Sequence, residues 1–316
     1  MCYGFNDGDR RRKGQIVLEV FDPTKAENQR ERIIIYGRAG IGKTRLALSL
    51  PEKLGDILYY AAEDNSEFLS SISNEKRKRV KVIRPDKSDP IRNFQQFCIQ
   101  DWRTKFPSVT TLVVDSYSEV AEACILHAAS TGAIDREPHY RIGDSNEEGG
   151  IALPHQGDYQ GIIYITRNFL DTLFDKQRHM NIIFICRETS KIIGGTKLSI
   201  TGKDGKTRAQ EVGGKSFGGP DHPGKQMMEE LPARFSTVIR LIREPVMVPG
   251  MSVPEWRVIA ITDNDGQFVA KVRESDEVKG NSLGRVILDK NSENFWRLYF
   301  ACQNSAGEIK LSVPSV

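Results

Sequence analysis

Lys43 and Thr44 place an ammonium and a hydroxyl directly after a glycine-rich turn, in the run Gly37-Arg38-Ala39-Gly40-Ile41-Gly42-Lys43-Thr44. The spacing fits the P-loop pattern G-x-x-x-x-G-K-[ST]. The chemistry of such a run is the holding of a nucleoside triphosphate. Glycines let the backbone curl so that successive N–H groups point inward at phosphate oxygens. Lys43 then reaches the β- and γ-phosphates, and the Thr44 hydroxyl ligates Mg²⁺. The expected ligands are ATP and Mg²⁺, with the whole run from Gly37 to Thr44 against the nucleotide.

Hydrolysis of the triphosphate calls for carboxylates as well. Asp115 closes the apolar run Leu112-Val113-Val114, the Walker B arrangement. A carboxylate at such a strand end can hold Mg²⁺ through a water or through the Thr44 hydroxyl. Glu63 follows the strand after the P-loop helix, a position suited to orienting or deprotonating the attacking water. Asp64, Glu119 or a helix-capping role for Glu63 are the alternatives. Arg187 follows Cys186 at another strand end. There it either senses the γ-phosphate or forms an ion pair with Glu188 or Asp115. Lys271 and Arg273 alternate in Phe268-Val269-Ala270-Lys271-Val272-Arg273, and residues two apart on a strand share a face. Both cations can then meet one anion, as fingers offered in trans to a neighbouring subunit's nucleotide. The alternative is a solvent-facing edge strand protected by its lysine.

These groups need strand ends to carry them. Arg32-Ile33-Ile34-Ile35-Tyr36 reads as a buried strand before the P-loop, and Thr44 to Leu50 as the start of a helix. Residues 57–62, 80–83, 110–115 and 181–186 read as further strands. Helical spacing of apolar residues runs over 91–106, 120–129, 159–176 and 291–303. Residues 236–242, 255–262 and 267–272 read as successive strands, the last two joined in a hairpin at Asp263-Asn264-Asp265-Gly266. This alternation predicts an α/β fold, a mostly parallel twisted sheet flanked by helices with an antiparallel C-terminal edge. Ligands of such sheets bind beyond the carboxyl ends of the strands, so Gly37, Glu63, Asp115 and Arg187 should gather at one rim. The chain divides into an arm (1–30), a core (31–285) and a helical tail (286–316). Two long segments of the core, 130–157 and 188–231, read as loops.

Composition narrows the classes. Hydrophobic residues make up 39%, as in a soluble globular protein, and no apolar run reaches bilayer length, so no membrane partner is expected. The five cysteines are scattered without a C-x-x-C pair, which argues against a zinc site or a disulfide framework and for a reducing, cytoplasmic setting. A net charge of +3 permits nucleic-acid binding without arguing for it. The dense runs Arg10-Arg11-Arg12-Lys13 and Lys76-Arg77-Lys78-Arg79, with the basic stretch 191–225, argue for it more strongly.

Taken in order, Tyr36-Gly37 through Thr44, Ala61-Ala62-Glu63-Asp64, Leu112-Val113-Val114-Asp115-Ser116 and Ala270-Lys271-Val272-Arg273 follow the succession seen in RecA-like ATPases. Over residues 30–280 the chain resembles the compact phage-encoded members, some of which act as single-strand annealing or recombination proteins. The resemblance implies a RecA-like P-loop NTPase in which Glu63 activates water, Asp115 is the Walker B aspartate, and Lys271 and Arg273 are the paired trans-acting cations. It also implies that 130–157 and 188–231 face DNA. Lys191, Lys197, Lys203, Lys206, Arg208 and Lys215 would then contact phosphates, with Phe217 the one aromatic residue for stacking. Arg187 departs from the Gln or His common at its position. The expected function is an ATP hydrolase that binds single-stranded DNA in phage recombination or replication, in the cytoplasm of an infected bacterial cell. It would self-associate into a ring or filament. One alternative is a nucleotide-gated assembly or switch ATPase acting on a protein partner without DNA. A small-molecule kinase is disfavoured by the strands after residue 236 and the lack of an Arg-rich lid helix.

Overall fold

The strand that feeds the P-loop is apolar on both faces, and the reason is its place in the middle of the sheet. Ile33 and Ile35 point into one core, Ile34 and Tyr36 into the other, as expected of a parallel strand covered by helices on both sides. The computed structural model describes residues 30–63, 72–86, 88–131, 156–193, 196–201, 207–212, 215–265, 267–272, 283–290 and 292–304. The strands, in chain order, begin with β1 (Arg32–Gly37), β2 (Asp56–Ala61), β3 (Val80–Ile83), β4 (Val109–Asp115), β5 (Asn181–Ile193) and β6 (Thr196–Thr201). They continue with β7 (Thr207–Val212), β8 (Lys215–Pro220), β9 (Thr237–Val246), β10 (Glu255–Ile261) and β11 (Arg285–Ile287). The main sheet runs β11-β10-β9-β1-β5-β4-β2-β3. From β9 to β3 every pairing is parallel; β10 and β11 add the antiparallel edge. This is the expected fold class.

Two layers of helix close the sheet. On one face lie α3 (Pro90–Ile99), α5 (Tyr117–Thr131), α6 (Gln156–Lys176) and α7 (Lys225–Ala233), packed through Phe94, Phe97, Phe169, Met227 and Leu231. On the other lie α1 (Lys43–Leu48) and α8 (Glu293–Asn304), packed through Leu46, Phe295, Trp296 and Tyr299. The short α2 (Asn74–Lys78) leads into β3, and α4 (Trp102–Lys105) into β4. Among the described residues no helix is long and apolar enough to cross a membrane. Cys98, Cys124, Cys186 and Cys302 are buried thiols.

The structure corrects three expectations. First, 188–231 is not a loop. β5 runs on through Arg187 to Ile193 and pairs antiparallel with β8, from Glu188 opposite Pro220 to Ile193 opposite Lys215. β6 and β7 form a hairpin with Thr201 opposite Thr207, and α7 follows. The alternating Thr196-Lys197-Leu198-Ser199-Ile200-Thr201 and the Asp204-Gly205 pair carried that signal, and the glycine content of the region masked it. Second, residues 267–272 do not form the partner strand of β10. Lys271 makes a single antiparallel bridge to Val238, and Phe268 a single parallel bridge to Gly218. A Cβ on Gly218 would sit 2.0 Å from the Phe268 ring, so glycine is what admits the ring there. The Arg240 guanidinium stacks on the same ring at 3.3 Å, and the Tyr36 hydroxyl donates to the Val269 carbonyl at 2.7 Å. These contacts draw the segment across the sheet edge, and β11 takes its place beside β10. Third, the expected helix over 91–106 breaks at Gln100-Asp101. Asp101 accepts from the Thr104 N–H and starts α4 anew.

α8 belongs to the core beneath the P-loop helix. Trp296 is fully buried, and its Nε1 donates to the Leu46 carbonyl at 2.7 Å and to Ser49 Oγ at 3.1 Å. Trp296→Ala is expected to lower unfolding stability by about 3–5 kcal/mol. Urea titration followed by circular dichroism checks this, and an unchanged midpoint would show that α8 is dispensable to the core.

Candidate active site at the strand ends

The P-loop turns on two glycines. Gly42 has φ +103°, which side chains rarely adopt, and a Cβ on Gly37 would lie 2.6 Å from the Leu241 carbonyl oxygen. The loop delivers Lys43 and Thr44 at the first turn of α1. The Lys43 ammonium donates to the carbonyls of Gly37 and Arg38, each at 3.0 Å. Burial holds its pKa below the usual lysine range, while Asp115 and Glu63 pull it back up. The ammonium therefore sits inside the loop, facing two carboxylates.

Asp115 is the residue on which the rim converges. Its Oδ2 accepts the Thr44 hydroxyl at 2.6 Å and the Tyr59 hydroxyl at 2.6 Å. Its carbonyl accepts the N–H groups of Ala62 at 2.8 Å and Glu63 at 3.3 Å. The Asp115–Ser116 peptide is cis. Ser116 Oγ donates to Glu63 Oε1 and also accepts from the Glu119 N–H at 3.3 Å. Burial raises the pKa of the Asp115 carboxyl, and the two hydroxyl donors oppose that rise. Burial also raises Tyr59, reinforced by the Asp115 charge, so its hydroxyl stays protonated and donates.

The β-ladder explains the convergence. Gly37 is the register partner of Arg187, and Ala61 that of Asp115. With β5 lying between β1 and β4, the four strand ends meet at one rim as expected. The Arg187 guanidinium is held by Glu122, by Glu119 at 3.9 Å and by Asp221 at 3.6 Å. Its ion-pair partners are thus on α5 and before α7. Glu188, an expected partner, pairs instead with Arg240 at 2.9 Å. Lys271 is bonded through its backbone to Val238, which pairs with Ile34, so it lies level with the middle of β1 and not with the P-loop. Burial lowers its pKa. Arg273, Asp64, the arm 1–29, Lys203 and Lys206, and most of 130–157 lie outside the described residues.

Two residues of the site escaped sequence reasoning. Tyr59 lay unremarked within an apolar strand, though its period-2 spacing to Ala61 and Glu63 puts it on the α1 face. Ser116 reads in the sequence only as the residue that follows Asp115. The basic run 76–79 also reads differently. Arg77 donates to the Ile72 carbonyl, Arg79 to those of Leu50, Pro51 and Gly55, and Lys76 pairs with Glu293. Two of the four cations thus hold the protein's own backbone and a third pairs with a carboxylate, so the run has a structural part.

The donor set fits Mg²⁺. A hydroxyl and a carboxylate are hard oxygens, and Mg²⁺ takes one or two protein oxygens, with phosphate and water supplying the rest. A glycine loop carrying a lysine, a serine/threonine and carboxylates on neighbouring strand ends defines a nucleoside-triphosphate site of the P-loop class on a mostly parallel α/β sheet. Residues 29–274 match the AAA_24 family, described as an AAA domain, and the chain belongs to that family. No curated protein sequence matches it. Among solved structures, the flagellar accessory protein FlaH from Methanocaldococcus jannaschii aligns at a TM-score of 0.42 and 10% identity, over 82% of this chain and 84% of that one.

Because folding raises the pKa of Asp115, the folded state favours its protonated form. Stability is therefore lost as pH rises through the carboxylate range, and the ionised group weakens the metal-free fold at neutral pH. Asparagine keeps an oxygen for Thr44 and Tyr59 without the charge. Asp115→Asn is expected to melt higher than wild type without nucleotide at neutral pH, and to lose any further rise on adding ATP and Mg²⁺. Differential scanning fluorimetry under both conditions checks this. A lower melting temperature, or a preserved ATP·Mg²⁺ shift, would contradict it.

Proposed function

We propose that the chain hydrolyses ATP at this rim and couples the cycle to single-stranded DNA, as a self-associating ATPase of phage recombination or replication. The observation that carries the hydrolase half is the cluster Thr44–Asp115–Ser116–Glu63 beside the P-loop lysine. Lys43 and the loop N–H groups would bind the phosphates, and Thr44 and Asp115 would hold Mg²⁺, which would offset charge on the phosphate oxygens. Glu63, steadied by Ser116, orients the attacking water and accepts its proton. Arg187 answers to the γ-phosphate by exchanging the α5 carboxylates for it.

The DNA half is supported by the way β5 leaves the rim. It continues from Arg187 without a break into the arm shared with β8, where Lys191 lies opposite Phe217 and Lys215 opposite Ile193. Lys197 and Arg208 occupy the adjoining β6/β7 hairpin. Cations with one aromatic residue suit backbone contacts without sequence preference. Lys271, away from its own P-loop, fits service to a neighbour's nucleotide. A second reading, a switch ATPase acting on a protein partner, has its own support. The β9–β10 turn rises past the rim with Met247, Met251, Val253 and Trp256 exposed, an apolar tip suited to protein contact.

Lys43→Ala is expected to abolish ATP turnover, and Glu63→Gln to retain ATP binding with turnover reduced at least about a hundredfold. Normal turnover by Glu63→Gln in a phosphate-release assay would remove Glu63 from the base role. Fluorescence polarisation with labelled single-stranded DNA across a salt series tests the DNA half. Binding that weakens steeply with salt is expected, and absence of binding at low salt, with or without an ATP analogue, leaves the protein-partner reading.

A further inference from the structure

We propose that Tyr59 is a positioning residue of the metal site, fixing which oxygen of Asp115 is left to face Mg²⁺. The inference deepens the ATP·Mg²⁺ reading of the P-loop and rests on it. Tyr59 is buried on β2, on the α1 face with Ile57 and Ala61. Its ring belongs to the core beneath α1, and its hydroxyl meets the site. The hydroxyl lies 2.6 Å from Asp115 Oδ2, the oxygen that Thr44 also reaches at 2.6 Å. Among the described residues no hydrogen bond ends on Oδ1.

The two donors come from different elements. Thr44 arrives from the P-loop helix and Tyr59 from the strand beside β4. The terminal torsion of an aspartate is soft and roughly two-fold, so one hydrogen bond does not settle which oxygen points where. A second donor on the same oxygen does. Oδ2 is thereby occupied from two sides, and Oδ1 is the oxygen left for a metal-bound water. Thr44 is itself a candidate metal ligand, so its hydroxyl serves two partners. Tyr59 reaches Asp115 from the core side and keeps the carboxylate in place while Thr44 turns its oxygen to the metal. A phenylalanine would fill the same core space and leave the carboxylate free to swing.

The test is Mg²⁺ titration of the binding of a fluorescent ATP analogue, which reads metal affinity without turnover. Tyr59→Phe is expected to raise the half-saturating Mg²⁺ concentration about tenfold, the usual effect of removing a residue that orients a metal ligand. Analogue binding in EDTA should stay at the wild-type level. Tyr299→Phe is the matched control, since that hydroxyl bonds Thr237 and Glu31, both away from the rim. It should lower the melting temperature and leave the Mg²⁺ half-saturation at the wild-type value. Wild-type half-saturation in Tyr59→Phe overturns the proposal, as does a loss of binding equal with and without Mg²⁺, which marks a packing role. If the wild type itself shows no Mg²⁺-dependent binding, the ATP·Mg²⁺ reading falls and the tyrosine proposal with it. A Mg²⁺-dependent wild type with an unaffected Tyr59→Phe removes the tyrosine alone.

Discussion

The rim is built on the end of one strand. Asp115 carries the backbone bonds that hold Ala62 and Glu63 and the side-chain bonds that hold Thr44 and Tyr59. The next residue, Ser116, reaches Glu63. Lys43 and Thr44 are therefore placed relative to Glu63 through a single residue and its neighbour. That arrangement has a cost. A buried carboxylate loses hydration, which is why its pKa rises, and hydrogen bonds recover only part of the loss. The same burial strengthens its field on whatever cation sits beside Thr44, because a low local dielectric screens charge poorly. In the proposed reading, the site would trade stability of the metal-free fold for grip on Mg²⁺.

The order of the strands decides what else touches the site. β5 lies between β1 and β4, so Arg187 comes up between the P-loop and Asp115. Its backbone is pinned on both sides. The Arg187 N–H donates to Ser118 Oγ at 3.0 Å, the Asp221 N–H donates to the Arg187 carbonyl at 2.7 Å, and Ser118 Oγ donates to the Asp221 carbonyl at 3.0 Å. Ser118 thus joins the start of α5 to β5 and to the residue that follows β8. A displacement of Arg187 is shared with Glu188 and Pro220, since paired strands move together.

Most of this was legible in the sequence where the signal was local. The P-loop, the strand ending in Asp115 and the strand before Glu63 are short apolar runs bounded by glycine or carboxylate, and the structure places each at the rim. What escaped were pairings decided by distant residues. Gly218 was one glycine among several in a glycine-rich stretch, and only the Phe268 ring lying on it shows why it must be glycine. That contact moves residues 267–272 off β10 and leaves the edge to Arg285–Ile287, a strand too short to announce itself. Tyr59 was hidden for the opposite reason. In an apolar strand a tyrosine reads as core, and nothing local reveals that its hydroxyl ends on a carboxylate from the neighbouring strand.

Charge was the least reliable guide, and the reason bears on where a nucleic acid would bind. A run such as Lys76-Arg77-Lys78-Arg79 looks like an electrostatic footprint, yet Arg79 alone satisfies the carbonyls of Leu50, Pro51 and Gly55 where the chain turns after α1. A guanidinium so engaged offers few donors to a phosphate. Arg187 and Arg240 are spent likewise, on Glu122 and Glu188. Lys191 and Lys215 lie on the two strands of the arm that β5 carries away from the rim. In the proposed reading they matter through that continuity more than through their number. Phosphate contacts made on the arm would lie on the strand that carries Arg187, and Arg187 stands opposite Gly37 at the start of the P-loop.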